Sequence, residues 1–223
     1  MKKKQRPDSL VRLERQWYTA LSAGEIDWSV YNADEYLEEL WYCWNTYSKQ
    51  YLNSIVRSGM VNCASVFSAM GEIKGVVDLG CGIGYSTARL KQLYPSAAVF
   101  GTNFKGTPQA KVAEKLSGKY GFSIVSNVDE ISMPIDLVFA SEYFEHIQNP
   151  LDHLREIVQH LCPKYFIIAN AFNTKATGHF TVYQETICQS KISRIFWKAL
   201  RELGYEKVKT KLWNNRPTFW RKR

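Results

Sequence analysis

Residues 76–86, Val76-Val77-Asp78-Leu79-Gly80-Cys81-Gly82-Ile83-Gly84-Tyr85-Ser86, constrain the chain more than any other segment. An apolar run ends beside an acid, three alternate glycines follow, and a helix-forming stretch begins. Lacking side chains, the glycines let the backbone turn sharply and lie against a ligand. The helix behind them offers unpaired N–H groups. In open parallel sheets, ligands bind at the carboxyl ends of the strands, where this turn would sit. Two nucleotide-binding patterns do not fit. A dinucleotide fingerprint wants glycine where Tyr85 stands, and a phosphate loop wants Gly-Lys-Ser/Thr. The acid at Asp78 disfavours a pyrophosphate and suits a cationic ligand.

Strand and helix patterns alternate from this point onward. Strands are expected at 75–79, 97–101, 122–125, 135–140 and 165–169, and helices at 87–93, 108–116, 149–161 and 190–203. Val208 to Leu212 and Thr218 to Trp220 read as two last strands paired as a hairpin. Apolar strands alternating with helices imply a mostly parallel sheet covered on both faces, with the hairpin at one edge. Before residue 71 the texture is helical. Leu10, Leu13, Trp17 and Leu21 keep helical spacing behind Ser9, a possible cap, and Asn32 to Val56 reads as a long helical stretch broken at most once. A third helix is expected over 62–70. The chain therefore divides into a helical cap, 1–70, and an α/β domain, 71–223. The cap is dense in rings, among them Tyr31, Tyr36, Trp41, Tyr42, Trp44, Tyr47 and Tyr51. They suit packing against the sheet, or walling a flat or apolar substrate.

The glycine segment resembles the cofactor loop of class I S-adenosylmethionine-dependent methyltransferases, and the likeness in element order runs over about 72–222. The resemblance implies a Rossmann-like seven-stranded sheet with a reversed last hairpin and S-adenosyl-L-methionine as cofactor. It implies cofactor contacts at Asp78, Gly80, Cys81, Gly82, Gly84, Asn103, Asn127, Val128 and Ser141. Two departures stand out. The family usually has an acid on the ribose after its second strand, where this chain has Asn103; an amide makes a weaker contact than a carboxylate. After the third strand, Asn127 and Asp129 both stand where the family often has an acid near the adenine.

Ser141-Glu142-Tyr143-Phe144-Glu145-His146 follows the fourth strand. It resembles the Glu-x-x-Glu-His run of many small-molecule methyltransferases, including those of ubiquinone synthesis. In small-RNA ribose methyltransferases a related run binds a divalent metal with a further histidine, so Glu142, Glu145, His146 and His179 form an alternative metal set. The preferred reading has no metal. His146, Glu145 and His179 are the expected catalytic groups, with His146 as general base. His153 and His160 are expected to be surface or packing residues. The Asp/Asn-Pro-Pro-aromatic and Pro-Cys motifs of nucleic-acid base methylases are absent.

Charge separates the remaining options. Of 29 basic and 21 acidic residues, six basic and two acidic fall in 1–16, and eleven basic and two acidic in 188–223, so the middle is net acidic. A basic end on an acidic body suits a solvated edge, or contact with nucleic acid. Five cysteines without metal-type spacing, and no signal or membrane-spanning stretch, point to a reducing, cytoplasmic setting. The expected function is methyl transfer to oxygen or nitrogen of a small molecule. An RNA- or DNA-directed methyltransferase and a non-catalytic partner subunit are the alternatives.

Overall fold

A computed structural model describes residues 8–56, 70–210 and 217–223. Strands β1 (Gly75–Leu79), β2 (Ala98–Thr102), β3 (Ser123–Val125), β4 (Leu137–Ser141), β5 (Tyr165–Ala169), β8 (Tyr205–Val208) and β9 (Thr218–Lys222) form one sheet. Their order is β3-β2-β1-β4-β5-β9-β8. The first five run parallel, and β9 is antiparallel to both β5 and β8. The expected fold class is therefore the observed one. A small second hairpin, β6 (Val182–Tyr183) with β7 (Ile187–Cys188), was not anticipated. Its turn uses Gln184 and Glu185 at positive φ in place of the glycine or asparagine that signals such turns.

Alternation along the strands divides the core. Val77, Val138, Ala140, Phe166, Ile168 and Trp220 join one apolar cluster, while Val76, Leu137, Phe139, Tyr165, Ile167 and Phe219 join the other. Both faces are thus covered, which is why β1, β4 and β5 read as continuous apolar runs. Asp136 fastens their entry ends. Its Oδ2 accepts from the Lys74 and Gly75 amides at 2.7 and 3.1 Å, and its Oδ1 meets Lys164 Nζ at 2.8 Å.

The covering helices of this part are α4 (Tyr85–Leu93), α5 (Pro108–Tyr120), α6 (Pro150–Leu161) and α7 (Gln189–Glu202). Their signals act locally: Thr107 caps α5 through Ala110 N, Pro108 occupies its first turn, and Gly121 closes it at φ 75°. Boundaries shift from expectation where caps decide. Helix α4 begins two residues early, directly behind Gly84, and α5 runs on to Tyr120 because Gly121 is its first stop.

The first segment holds α1 (Asp8–Ser22), a short 3-10 turn (Trp28–Asn32), α2 (Asp34–Cys43) and α3 (Lys49–Val56). Helix α1 starts at Asp8, so Ser9 is not its cap; the Ser9 hydroxyl bonds Glu38 of α2 instead. The single break in the long helical stretch is a π turn, Trp44–Ser48, which continues from α2 into α3. Leu13, Trp17, Val30, Tyr31 and Tyr36 belong to the same apolar cluster as the strands, so these helices share the sheet's core. Residues 62–69 of the helix expected over 62–70, and the 211–212 end of the penultimate strand, lie outside the described residues; Met70 is in a turn. The described part of that strand begins earlier, at Tyr205.

Candidate active site

The carboxyl ends of β1, β2 and β4 open into a cavity of about 880 Å³, roofed by α1, α2 and the 3-10 and π turns beside them. Its floor is the glycine loop. Gly80, Gly82 and Gly84 all have positive φ (64°, 53° and 83°). A Cβ at Gly80 would overlap the Tyr143 ring, and one at Gly82 would press on Leu40 of α2. Thr102 and Asn103, at the end of β2, hold this loop at three points. Gly80 N donates to Thr102 Oγ1 at 2.8 Å, Cys81 N to Thr102 O at 2.9 Å, and Asn103 Nδ2 to Gly82 O at 2.6 Å. A carboxylate in place of Asn103 would have no proton for the last of these.

Asp78 lines the cavity at 2% exposure. Burial pushes its carboxyl up to about 6, against two hydroxyls, Ser86 and Thr87, that donate to Oδ2 at 2.6 and 2.7 Å. Among the described residues, its other oxygen has no such donor. Asn127 and Val128 also line the cavity, whereas Asp129 is exposed and faces His160. Asn127 Oδ1 accepts from Asp129 N, capping a 3-10 turn. Ser141 meets Ser48 of the π turn, hydroxyl to hydroxyl, at 2.9 Å.

Two expected site residues fall outside the cavity wall. Gly84 caps α4 and lets it pack on α5; a Cβ there would meet Ala113 Cα at 3.0 Å. Glu145 is fully buried, and its Oε1 accepts from Ala171 N at 2.7 Å while its backbone carbonyl accepts from Tyr183 Oη. Burial first, and then Glu142, hold the Glu145 carboxyl well above the usual carboxylate range. It ties the loops together beneath the site. Glu142, in contrast, lines the cavity in a left-handed conformation at φ 54°. Among the described residues, Glu142, Glu145, His146 and His179 do not gather into a metal-binding group.

His146 and His179 both line the cavity, with ring centroids 4.7 Å apart and planes perpendicular. Burial, with His179 alongside, keeps the His146 imidazole well below its ordinary range, so it is neutral at physiological pH. His146 Nδ1 lies 3.1 Å from Tyr31 Oη. Gly178 sits under this pair at φ 84°, where a Cβ would overlap the Tyr31 hydroxyl. His179 Nδ1 donates to Thr174 O at 2.7 Å. His179 O accepts from the buried Trp17 indole, also at 2.7 Å.

Sequence reasoning missed several contributors. His153, expected as a surface or packing residue, is half-buried and packs against Tyr143 and Phe144, but it also lines the cavity and bonds Tyr143 Oη at 2.8 Å. Tyr143 and Thr102 have motif neighbours but no motif of their own, and Tyr31 has neither. The ring density of 31–51 was their one available signal, and it reaches only Tyr31.

Residues 77–169 match the family model described as "Methyltransferase domain". With the strand order and glycine loop above, the match gives residues 77–169 a likeness to the class I S-adenosylmethionine-dependent methyltransferases. It is 34% identical over 96 residues to a trans-aconitate 2-methyltransferase of Rhodopseudomonas palustris (strain BisB18), covering 42% of this chain and 37% of that protein. It is 31% identical over 88 residues to the protein of the same name from Deinococcus radiodurans, covering 40% and 34%. The chain thus spans little more than a third of the length of these curated relatives. A crystal structure of the plantazolicin methyltransferase BpumL, in complex with a pentazolic desmethylPZN analog and SAH, shares the fold. Its TM-score is 0.58 at 12% identity, covering 92% of this chain and 83% of that one.

Proposed function

We propose that this chain is a methyltransferase that uses S-adenosylmethionine to methylate an oxygen or nitrogen of a small molecule. The observation that carries the reading is one cavity that joins the Asp78–Gly82 loop to the His146–His179 pair. The residues fit the cofactor: a side-chain-free floor, a buried carboxyl with one oxygen uncommitted, and room beyond it for a second molecule. When bound, S-adenosylmethionine supplies a methyl carbon on a positively charged sulfur.

Asp78 would hold the ammonium of the methionine end, a charge-assisted contact. Gly80, Cys81 and Gly82 would lie along the cofactor, with Asn127 and Val128 at its base end and Ser141 near its middle. Asn103 takes a different part from the family's acid, because its amide is engaged in shaping the loop. His146, neutral and fixed against Tyr31, would accept the acceptor's proton, with His179 beside it. Glu145 would position the 171 loop and so acts through its neighbours. The helices up to residue 70 would cover the acceptor and exclude water. Small acceptors are favoured over nucleic acid because no described residue beyond His179 lines the cavity, so the described part of the basic C-terminal stretch stays out of it.

Calorimetry with S-adenosylhomocysteine tests the reading. Binding is expected for the native chain, and at least a hundredfold weaker binding for Gly82→Arg, which pushes a long side chain between the loop and Leu40. A native chain that binds neither this compound nor S-adenosylmethionine overturns it.

A further inference from the structure

The charge of the cavity wall carries an inference about the acceptor, resting on the methyltransferase reading above. Beyond Asp78, two more carboxyls line the wall. Glu39, on α2, is 8% exposed and close enough to Tyr31 and Tyr36 that its charge pushes both phenols upward, after burial itself. It therefore lies near Tyr31, the partner of His146. Glu142 acts similarly on Tyr47 of the π turn.

Against these carboxyls the described wall carries one permanent cation, Lys175, whose ammonium lies 5.7 Å from the centre of the Tyr18 ring. The rest of that end is aromatic. Trp28 stacks on Tyr31 with centroids 6.0 Å apart and planes 24° apart, and Trp28 and Phe104 are about half exposed at the rim. Ring faces attract cations, and carboxyls in a partly dehydrated cavity repel anions far more than they would in water. The matched methyltransferase domain, 77–169, includes neither Trp28, Tyr31 nor Glu39, so this end of the cavity belongs to the chain's own helices.

We infer that the methyl acceptor is an amine carried on a ring or comparable apolar body, recognised as its ammonium by Glu39, Glu142 and the Trp28–Tyr31 faces. Polycarboxylates of the kind named for the matched relatives are excluded. The ammonium first gives up a proton to become nucleophilic. The nitrogen lone pair then forms the N–C bond while the methyl–sulfur bond breaks and sulfur keeps its electron pair. That first proton passes to the neutral His146 imidazole, and the charge that arises on nitrogen leaves with the product as its methylated ammonium.

The experiment loads the full chain with S-adenosylhomocysteine, followed by calorimetry, and then adds tryptamine, indole-3-acetate or trans-aconitate. The first two share a ring and differ in the sign of their charge. Tryptamine is expected to bind at least tenfold more tightly than indole-3-acetate, and trans-aconitate to give no binding. Glu39→Gln is expected to cut the tryptamine preference threefold or more, with Glu142→Gln as the second variant should the first not fold. Equal or tighter binding of either acid, or binding of neither indole while S-adenosylhomocysteine is bound, overturns the amine assignment and leaves the methyltransferase reading standing. No binding in the loading step is a separate result that removes both.

Discussion

Asp78 illustrates at the scale of one residue how function opposes stability. Its carboxyl is raised from 3.8 to about 6 by burial. Between these values the folded chain holds more protons than the unfolded one, so stability falls as pH rises through that window and the cost is fully present above about 6. The size is on the order of 3 kcal/mol at neutral pH. Asp78→Asn keeps an oxygen for Ser86 and Thr87 and removes the charge. The ligand-free variant is expected to melt several degrees higher than the native chain at pH 7.5, with the advantage gone near pH 4. S-adenosylhomocysteine affinity should fall at least tenfold in the same variant. In the native chain that affinity should decline as pH drops below about 6, where Asp78 becomes neutral. Melting curves and calorimetry at three pH values check all three statements. Asp78 and the glycines were legible in the sequence because their spacing is set by backbone geometry. Thr102 was not, because its part depends on strand β2 ending beside the loop, which only the assembled sheet determines.

Among the elements, the strands were read most reliably. A buried parallel strand has no solvent face, so its apolar run is unbroken, and Tyr165–Ala169 was found with its true ends. The hairpin at 182–188 went unseen because its turn carries glutamine and glutamate at positive φ. Helix α1 was recognised as amphipathic, yet its destination was not. Trp17, fully buried, donates its indole N–H to His179 O and packs edge-on against Phe180 and Tyr31. The helix therefore braces the 174–180 loop that carries His179. Trp17→Phe retains most of the ring and leaves that carbonyl unpaired, which should cost about 1–2 kcal/mol in urea unfolding. A larger fractional loss in turnover than in S-adenosylhomocysteine affinity would accompany it, since the glycine loop is held independently by Thr102 and Asn103.

Across the whole molecule, charge and cavity are segregated. The acidic middle of the sequence supplies the cavity wall, while the basic C-terminal stretch forms α7 and the β8–β9 edge, where Glu206 pairs with Arg221. Net charge alone left nucleic acid as an option; the arrangement of that charge argues for an edge in water. A gel-shift titration of RNA and duplex DNA at 150 mM salt should show no complex at micromolar protein. A stable complex with steep salt dependence, lost on changing Lys207 and Lys209 to glutamine, would reverse that conclusion. Domain division was the least legible feature at this scale. Helical and α/β textures alternate clearly along the sequence, but texture carries no information about whether two regions bury one core or two.

They bury one. Since Leu13, Trp17, Val30 and Tyr31 are continuous with the strand side chains, the roof over the cavity is no interchangeable module. Grafting another protein's roof onto this sheet would excavate its interior. New substrate preferences are more readily reached by exchanging rim side chains such as Trp28 and Phe104, whose exposed rings can be altered while the foundations stay untouched.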